Sequence, residues 1–329
     1  MKPLRHLSAA EVAAAMLPLL ERLALADLTM RALGTRAETP PKIGVHPRQP
    51  GSLAHAMPAL LRGQAADGSE DLIGAKWIAG FPANPALGLP TYQALVVLND
   101  PLTGDPIAVM DGGSITAQRT AAVSGIAIRH FARTAPGVAA RVAILGAGAQ
   151  ARSHVPVIGH LLPGARLRIT DIDRARADEL AADALASAGI AAADAVASVP
   201  EAVDGADVVV SMISFGPARQ TLDPAWLGPR TLFVAVDYDM QAPASLAREA
   251  FFVVDERDQF LTTRSETVFA GYPDPDATLG EVLRADRDPS RHAGRVLVAH
   301  LGVGLADVVF AAAVLDRARR LGLGRLLPG

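Results

Sequence analysis

The sequence predicts an α/β protein: a doubly wound parallel sheet carrying a nucleotide site, plus a smaller α+β domain. Three observations predict it. From residue 141 onward, short apolar runs alternate with helix-length stretches, the pattern of parallel strands joined by crossover helices. At the head of that region, Val142-Ala-Ile-Leu145 runs straight into Gly146-x-Gly148-x-x-Ala151, which is a buried strand, a tight turn and a helix start. The first third of the chain lacks this alternation and combines a long helix with several short strands.

In chain order, Ser8-Ala-Ala-Glu11 has the spacing of a capping box. It predicts a helix to about Leu33, kinked at Pro18. Pro40, Pro41, Pro47 and Pro50 mark an irregular segment. Strands are expected at Ser52–Met57, Ile73–Ile78, Tyr92–Leu98 and Ile107–Met110, the last two joined by a hairpin connection through Asn99 to Pro106. A helix from Thr116 to Arg133, capped by Ser114 or Thr116, ends at Thr134-Ala-Pro-Gly137. Strands are then expected at 141–145, 166–170, 194–197, 207–212, 231–236 and 251–254, and helices near 149–162, 173–188 and 200–204. Ala306–Leu321 is expected to form an amphipathic helix. The domain expectation is therefore a smaller α+β domain over 1–120, completed by 306–329, and a Rossmann-type nucleotide domain over 121–305.

Composition narrows the function classes. With 329 residues, two domains can each bury a core. The net charge is −3, with both signs interspersed. No basic block points to nucleic acid or an anionic membrane. There is no cysteine, which rules out disulfides, thiolate nucleophiles and Cys-based metal sites. Nothing at the start of the given sequence resembles a signal peptide, and no uncharged run of membrane-spanning length appears in it. A cytoplasmic enzyme with no metal is the expectation.

The glycine turn is the first candidate site. Gly146 permits the turn, and Gly148 lets backbone approach a pyrophosphate. Ala149 and Gln150 open the helix whose free N–H groups would face the phosphates. Asp171 follows the next expected strand, 20 residues past Ala151, where a carboxylate can accept from ribose hydroxyls; a helix cap is its alternative role. Asp171 favours NAD, while Arg174 and Arg176 keep NADP open. Asp173 has the better position for a cap. Ser211 and Ser214 lie at the carboxyl edge of a later strand, where cofactors sit in such sheets.

A second constellation lies outside the nucleotide domain. Lys76 stands among apolar neighbours, and Arg119 falls in the first turns of a helix, where the dipole prefers anions. Two cations in apolar surroundings suit a carboxylate ligand. Without other support, a surface lysine and a structural arginine would be the plainer account.

A run of motifs adds that support. Lys76, Phe81-Pro-x-Asn84, Gly88-Leu-Pro90, Asp100-Pro-x-Thr-Gly104, Ala108-x-Met-Asp111 and Thr116-Ala-x-Arg119-Thr-Ala-Ala122 occur in order, followed by Gly146-Ala-Gly148-Ala-Gln150 and Leu301-Gly-Val-Gly-Leu-Ala306-Asp307. Together they resemble the ornithine cyclodeaminase/mu-crystallin family from about residue 40 to the end. The resemblance implies that 1–120 with 306–329 serves substrate binding and dimerisation, that the assembly is a homodimer or larger, and that Lys76 and Arg119 bind the substrate carboxylate, with Lys76 also counted among the catalytic residues. It places Thr120 and Gln150 near the cofactor phosphates and makes Asp237 the catalytic aspartate. Asp237 also follows an apolar strand at the carboxyl edge of the sheet, where a buried carboxylate could handle amine protons; Asp239 is its rival.

Two positions depart from the family pattern. Lys42 stands where an arginine is frequent, with Arg48 as a substitute. His55 stands two residues before Met57-Pro58, where ornithine cyclodeaminases carry a glutamate. A histidine can shuttle protons near neutral pH but offers no anion to an ornithine ammonium. The family prototype uses NAD for hydride transfer at Cα and converts ornithine to proline and ammonia. The alternatives are an NAD(P)H-dependent cyclic-imine reductase or amino-acid dehydrogenase, and a non-enzymatic mu-crystallin-like binding protein.

Overall fold

The computed structural model describes residues 3–134, 137–266, 268–285 and 293–328. Ala135 and Pro136, in the turn expected to end the second long helix, lie outside these. The chain divides into two compact units, Met1–Arg119 with Gly302–Gly329, and Thr120–Leu301.

The first unit opens with β1 (Leu4–Leu7), α1 (Ala9–Ala14) and α2 (Leu19–Ala32). The capping box forms as expected, with Ser8 and Glu11 bonding reciprocally. The single kinked helix does not. Proline lacks an N–H and its ring collides with the preceding turn, so α1 stops and Pro18 becomes the N-cap of a separate α2. There follow β2 (Ala37–Glu38), β3 (Ile43–Val45), β4 (Leu53–Leu61), β5 (Leu72–Gly80), β6 (Tyr92–Asn99) and β7 (Pro106–Asp111). β4 to β7 form an antiparallel meander, with the hairpin between β6 and β7 where it was expected. α3 (Gly113–Phe131) starts earlier than expected, so Ser114 and Thr116 lie inside it. The Gly113 N–H instead donates to Asp111 Oδ1 at 2.9 Å.

The second unit contains β8 (Arg141–Leu145), α4 (Ala149–Leu161), β9 (Ala165–Thr170), α5 (Arg174–Leu185), β10 (Ile190–Ala195), α6 (Val199–Val203) and β11 (Val208–Ser211). It continues with β12 (Leu232–Ala235), α7 (Ala244–Glu249), β13 (Phe251–Val254), α8 (Arg257–Ser265), β14 (Ala277–Thr278), α9 (Leu279–Leu283) and β15 (Val296–Ala299). All eight strands pair in parallel, in the order β10-β9-β8-β11-β12-β15-β13-β14. β8, β11, β12 and β15 are apolar and buried on both faces, as a sheet covered on both sides requires. The strand order reverses between β8 and β11. Such a switch point is where doubly wound sheets receive ligands.

The chain then returns to the first unit with α10 (Gly304–Arg320) and β16 (Arg325–Leu327). β16 pairs with β1, which pairs with β7, giving the order β16-β1-β7-β6-β5-β4-β2 with β3 on β4. α10 packs on β4, β5 and β6. Its first residue must be small, because a Cβ on Gly304 would stand 2.6 Å from the Met57 carbonyl oxygen. In register across the sheet, Ile43, Ala56, Trp77 and Leu95 form one lateral row. Ile43 is 64%, Trp77 48% and Leu95 49% exposed.

Candidate functional site

Within the second unit, the glycine turn leaves β8 at the switch point. Gly146 has φ +96°, and a Cβ there would lie 2.7 Å from the Met212 carbonyl oxygen. Both facts exclude any other residue. Gly148, by contrast, has nothing within 4 Å of its Cβ direction. It caps α4 without a side-chain hydrogen bond, so the helix's first N–H groups have no side-chain acceptor at that cap. Gln150 Oε1 is buried without a hydrogen-bond partner, and Ala149 is exposed. Open space, uncapped donors and an orphaned acceptor fit a dinucleotide's phosphates and hydroxyls. Asp171 stands just past β9, where its Oδ2 accepts from the Ala147 N–H at 2.7 Å and its Oδ1 from the Asp173 N–H at 2.9 Å. It therefore also braces the turn. Asp173 caps α5, as expected. Arg176 is paired with Asp173 and Arg174 with Asp178 on their own helix.

On the same sheet edge, Asp237 lies two residues past β12 and is 3% exposed. Its Oδ2 accepts from the Ser211 hydroxyl and, at 3.0 Å, from the Ile213 N–H. Ser211 thus bonds the carboxylate. The second oxygen, Oδ1, is buried without a hydrogen-bond partner. Burial pushes the carboxyl up to about 7, against the opposing pull of the Ser211 and Ile213 hydrogen bonds. The backbone turns sharply next, with Tyr238 at φ +63°, a strained value for a bulky residue. Asp239 is differently placed. Its Oδ1 accepts from Arg219 and its Oδ2 from the Phe269 N–H at 3.0 Å. Both oxygens of Asp239 are thus bonded, whereas Asp237 keeps one buried oxygen without a partner.

Within the first unit, Lys76 on β5 and Arg119 on α3 converge on a carboxylate that the sequence reading did not assign. Lys76 Nζ is 2.7 Å from Asp307 Oδ2, and Arg119 Nε donates to Asp307 Oδ1 at 3.0 Å. Lys76 is 1%, Arg119 6% and Asp307 0% exposed. Burial would raise the Asp307 carboxyl, but Arg119 and Lys76 outweigh it and hold it below the usual range. Burial, more than Asp307 can offset, brings the Lys76 ammonium down to about 7. The tail glycines make this geometry possible. A Cβ on Gly302 would meet the Arg119 guanidinium at 2.6 Å. The signal for Asp307 was thus in the tail motif, as the carboxylate beside two glycines with no side chain to spare.

His55, on β4, pairs in register with Gly44 and Ile78, and its neighbour on the same face, Met57, pairs with Lys76. Lys42 directly precedes β3 and is half-buried. Burial first, then the charges of Lys42, His46 and Lys76, bring the His55 imidazole down to about 4. An imidazole lowered this far is neutral near pH 7. Thr120 is 5% exposed, in the first turn of the second unit's share of α3.

The family model for the ornithine cyclodeaminase/mu-crystallin family matches residues 4–321. The chain belongs to this family. Among its relatives, the nodulation efficiency protein NfeD of Rhizobium meliloti is 32% identical over 330 residues, covering 99% of this chain and 98% of that one. The ketimine reductase mu-crystallin of Mus musculus is 31% identical over 252 residues, 75% of this chain and 77% of that one. An archaeal alanine dehydrogenase dimer, solved with bound NAD, superposes with a TM-score of 0.82 at 26% identity, covering 99% of each chain. The doubly wound parallel sheet with a smaller mixed domain is therefore both the expected fold and the observed one. Among the described residues, no helix is long and apolar enough to cross a membrane.

Proposed function

We propose that this family member is an NAD-dependent enzyme that transfers hydride at the Cα of a small α-imino or α-amino acid. The observation that carries this is Asp237: a buried carboxyl, poised near neutrality, with one unpartnered oxygen on the sheet edge that bears the glycine turn. Gly146, Gly148, Ala149, Gln150 and Asp171 would hold the dinucleotide, with Thr120 near its phosphates. The mutual pairing of Arg174 and Arg176 with carboxylates on α5 favours NAD over NADP. The cofactor supplies or accepts the hydride.

The chain's own groups do the rest. Lys76, Arg119 and Asp307 carry one positive charge in excess when Lys76 is protonated. That excess matches one substrate carboxylate and would restore the Lys76 charge on binding. Lys42 would add to the same field. Asp237, protonated, delivers a proton to the imine nitrogen as Cα gains the hydride, giving the amine; ionised, it receives that proton in reverse. Ser211 and the Ile213 N–H keep the carboxyl oriented for the transfer.

Complete cyclodeamination also needs an anion for the distal ammonium of a diamino acid. Residues 39–66 and 72–99, which contain β3 to β6, include no Asp or Glu, and His55 is neutral. Imine reduction and its reversal therefore fit this chain better than the ornithine reaction. The exposed row of Ile43, Trp77 and Leu95 would be covered by a second copy of the chain, in line with the dimeric alanine dehydrogenase neighbour.

The test is direct. Purified protein with NADH is offered pyrroline-2-carboxylate, or pyruvate with ammonia; in parallel, NAD with L-ornithine is assayed for proline and ammonia. NADH oxidation with imine, and no proline from ornithine, is expected. Proline and ammonia without net NADH would restore cyclodeamination. Inactivity towards every imino and amino acid, with NADH bound, would leave a binding protein.

A further inference from the structure

Three buried polar side chains in the second unit have no part in the chemistry above. His154 is on α4, one turn after Gln150, and is 0% exposed; Ser124, on α3, is 0% exposed; His300, directly after β15, is 2% exposed. They form one chain. His154 Nδ1 lies 2.7 Å from the Gln150 carbonyl oxygen, His154 Nε2 lies 2.8 Å from Ser124 Oγ, and Ser124 Oγ lies 2.8 Å from His300 Nε2.

The end of the chain fixes the direction of every hydrogen in it. A carbonyl oxygen only accepts, so His154 Nδ1 carries a proton and donates it. Burial, only partly offset by that bond, lowers the His154 imidazole to about 4, so the ring is neutral and its Nε2 accepts. The Ser124 hydroxyl must then donate to Nε2, and its oxygen must accept from His300 Nε2–H. His300 is itself fixed, since its backbone N–H donates to the Ala235 carbonyl at 3.1 Å. The chain thus runs from the carboxyl end of β15, across α3, to the first turn of α4.

The gripped atom is informative. The Gln150 carbonyl and the Ala151 N–H belong to one rigid peptide plane, so holding the oxygen sets where the N–H points. Apolar packing would stabilise this interior at least as well as a buried polar chain, whose members each carry a desolvation penalty if a partner is lost. We propose that His300, Ser124 and His154 are positioning residues that hold the first turn of α4, through the Gln150 carbonyl, in the orientation its N–H groups need to receive dinucleotide phosphates. This rests on the NAD reading above, so NADH binding by the unaltered protein is the control that separates the two.

The test titrates NADH by fluorescence and measures steady-state kinetics and thermal unfolding for Ser124→Ala, Ser124→Thr, His154→Asn and, as a packing control, Ile158→Val on the same helix. The expected result is about tenfold weaker NADH binding, the scale of a lost buried hydrogen bond, in Ser124→Ala and His154→Asn. The KM for NADH should rise in step, while kcat at saturating NADH stays within about twofold. Ser124→Thr keeps the hydroxyl and should bind NADH nearly as the parent does, which also serves if Ser124→Ala fails to fold. Ile158→Val should lower thermal stability without changing NADH affinity. Unchanged NADH affinity in both relay variants, with stability alone reduced, would overturn the proposal; so would a fall in kcat with affinity intact. No NADH binding by the parent protein would instead remove the cofactor reading on which it rests.

Discussion

At the residue scale, Asp237 and Asp307 are carboxylates in opposite electrostatic settings. Asp237 is buried with hydrogen bonds and no cation, and its acidity weakens to about 7; Asp307 is buried between two cations and stays ionised. Asp237→Asn should lower kcat by about 10²-fold or more, the usual contribution of a positioned acid, while NADH titration gives an unchanged affinity. If Asp237 is the proton donor proposed above, the parent's kcat for imine reduction should be high below about pH 7 and fall as pH rises through it. Amino-acid oxidation should show the reverse. A stopped-flow pH series should find both limbs missing in Asp237→Asn. In kcat/KM a second group, Lys76, titrates in the same range, so saturating substrate is the cleaner condition. Asp307→Asn leaves Lys76 and Arg119 buried without a counter-charge. A loss of about 3–5 kcal/mol in urea unfolding is expected, against a near-neutral result if water replaced the carboxylate. Lys76 and Arg119 were legible as a pair through the motif resemblance. Their partner was not, because Asp307 lies 188 residues beyond Arg119 and its role exists only once α10 lies on β4 to β6.

Among the elements, those legible in the sequence are those whose local pattern and tertiary environment agree. β8 and β13 match their expected limits, since uninterrupted apolar runs suit strands buried on both faces. β15 escaped notice. Val296–Ala299 is as apolar as β8, but it enters the sheet out of sequence order, between β12 and β13, and no local signal encodes such an insertion. β1 and β16 also escaped it. Leu4–Leu7 and Arg325–Leu327 are short and lack alternation, and they are strands because they pair with each other from opposite ends of the chain. The glycine turn was the most legible element of all, and its geometry sharpens what should follow from changing it. Gly146→Ala must adopt φ +96° and displace the Met212 carbonyl. It should cost at least about 1–3 kcal/mol in unfolding free energy and abolish NADH binding by fluorescence; an alanine variant that bound NADH normally would show that the turn is not the phosphate site.

For the whole molecule, the exposed row on β3, β5 and β6 sets the expected assembly. Trp77 and Leu95 face each other in register and are each about half exposed, an arrangement that isolated apolar surface residues do not need. Trp77→Glu with Leu95→Lys should convert a dimer to a monomer in sedimentation velocity while the far-UV spectrum stays unchanged. A parent chain already monomeric at micromolar concentration would remove this reading. The charge-poor character of the row was visible as strand composition, but its exposure was not, because alternation does not reveal which face α10 will cover.

The return of α10 has a consequence in time. The first unit is interrupted in sequence by the whole of Thr120–Leu301. During synthesis, Lys76 and Arg119 emerge early, and Asp307 leaves the ribosome only after those intervening residues. At a translation rate of about 5–20 residues per second, the wait is roughly 10–40 s. Through that interval the nascent chain holds two cations destined for an apolar interior and waits for the carboxylate that will lie between them, so this buried cluster is born incomplete and closes last.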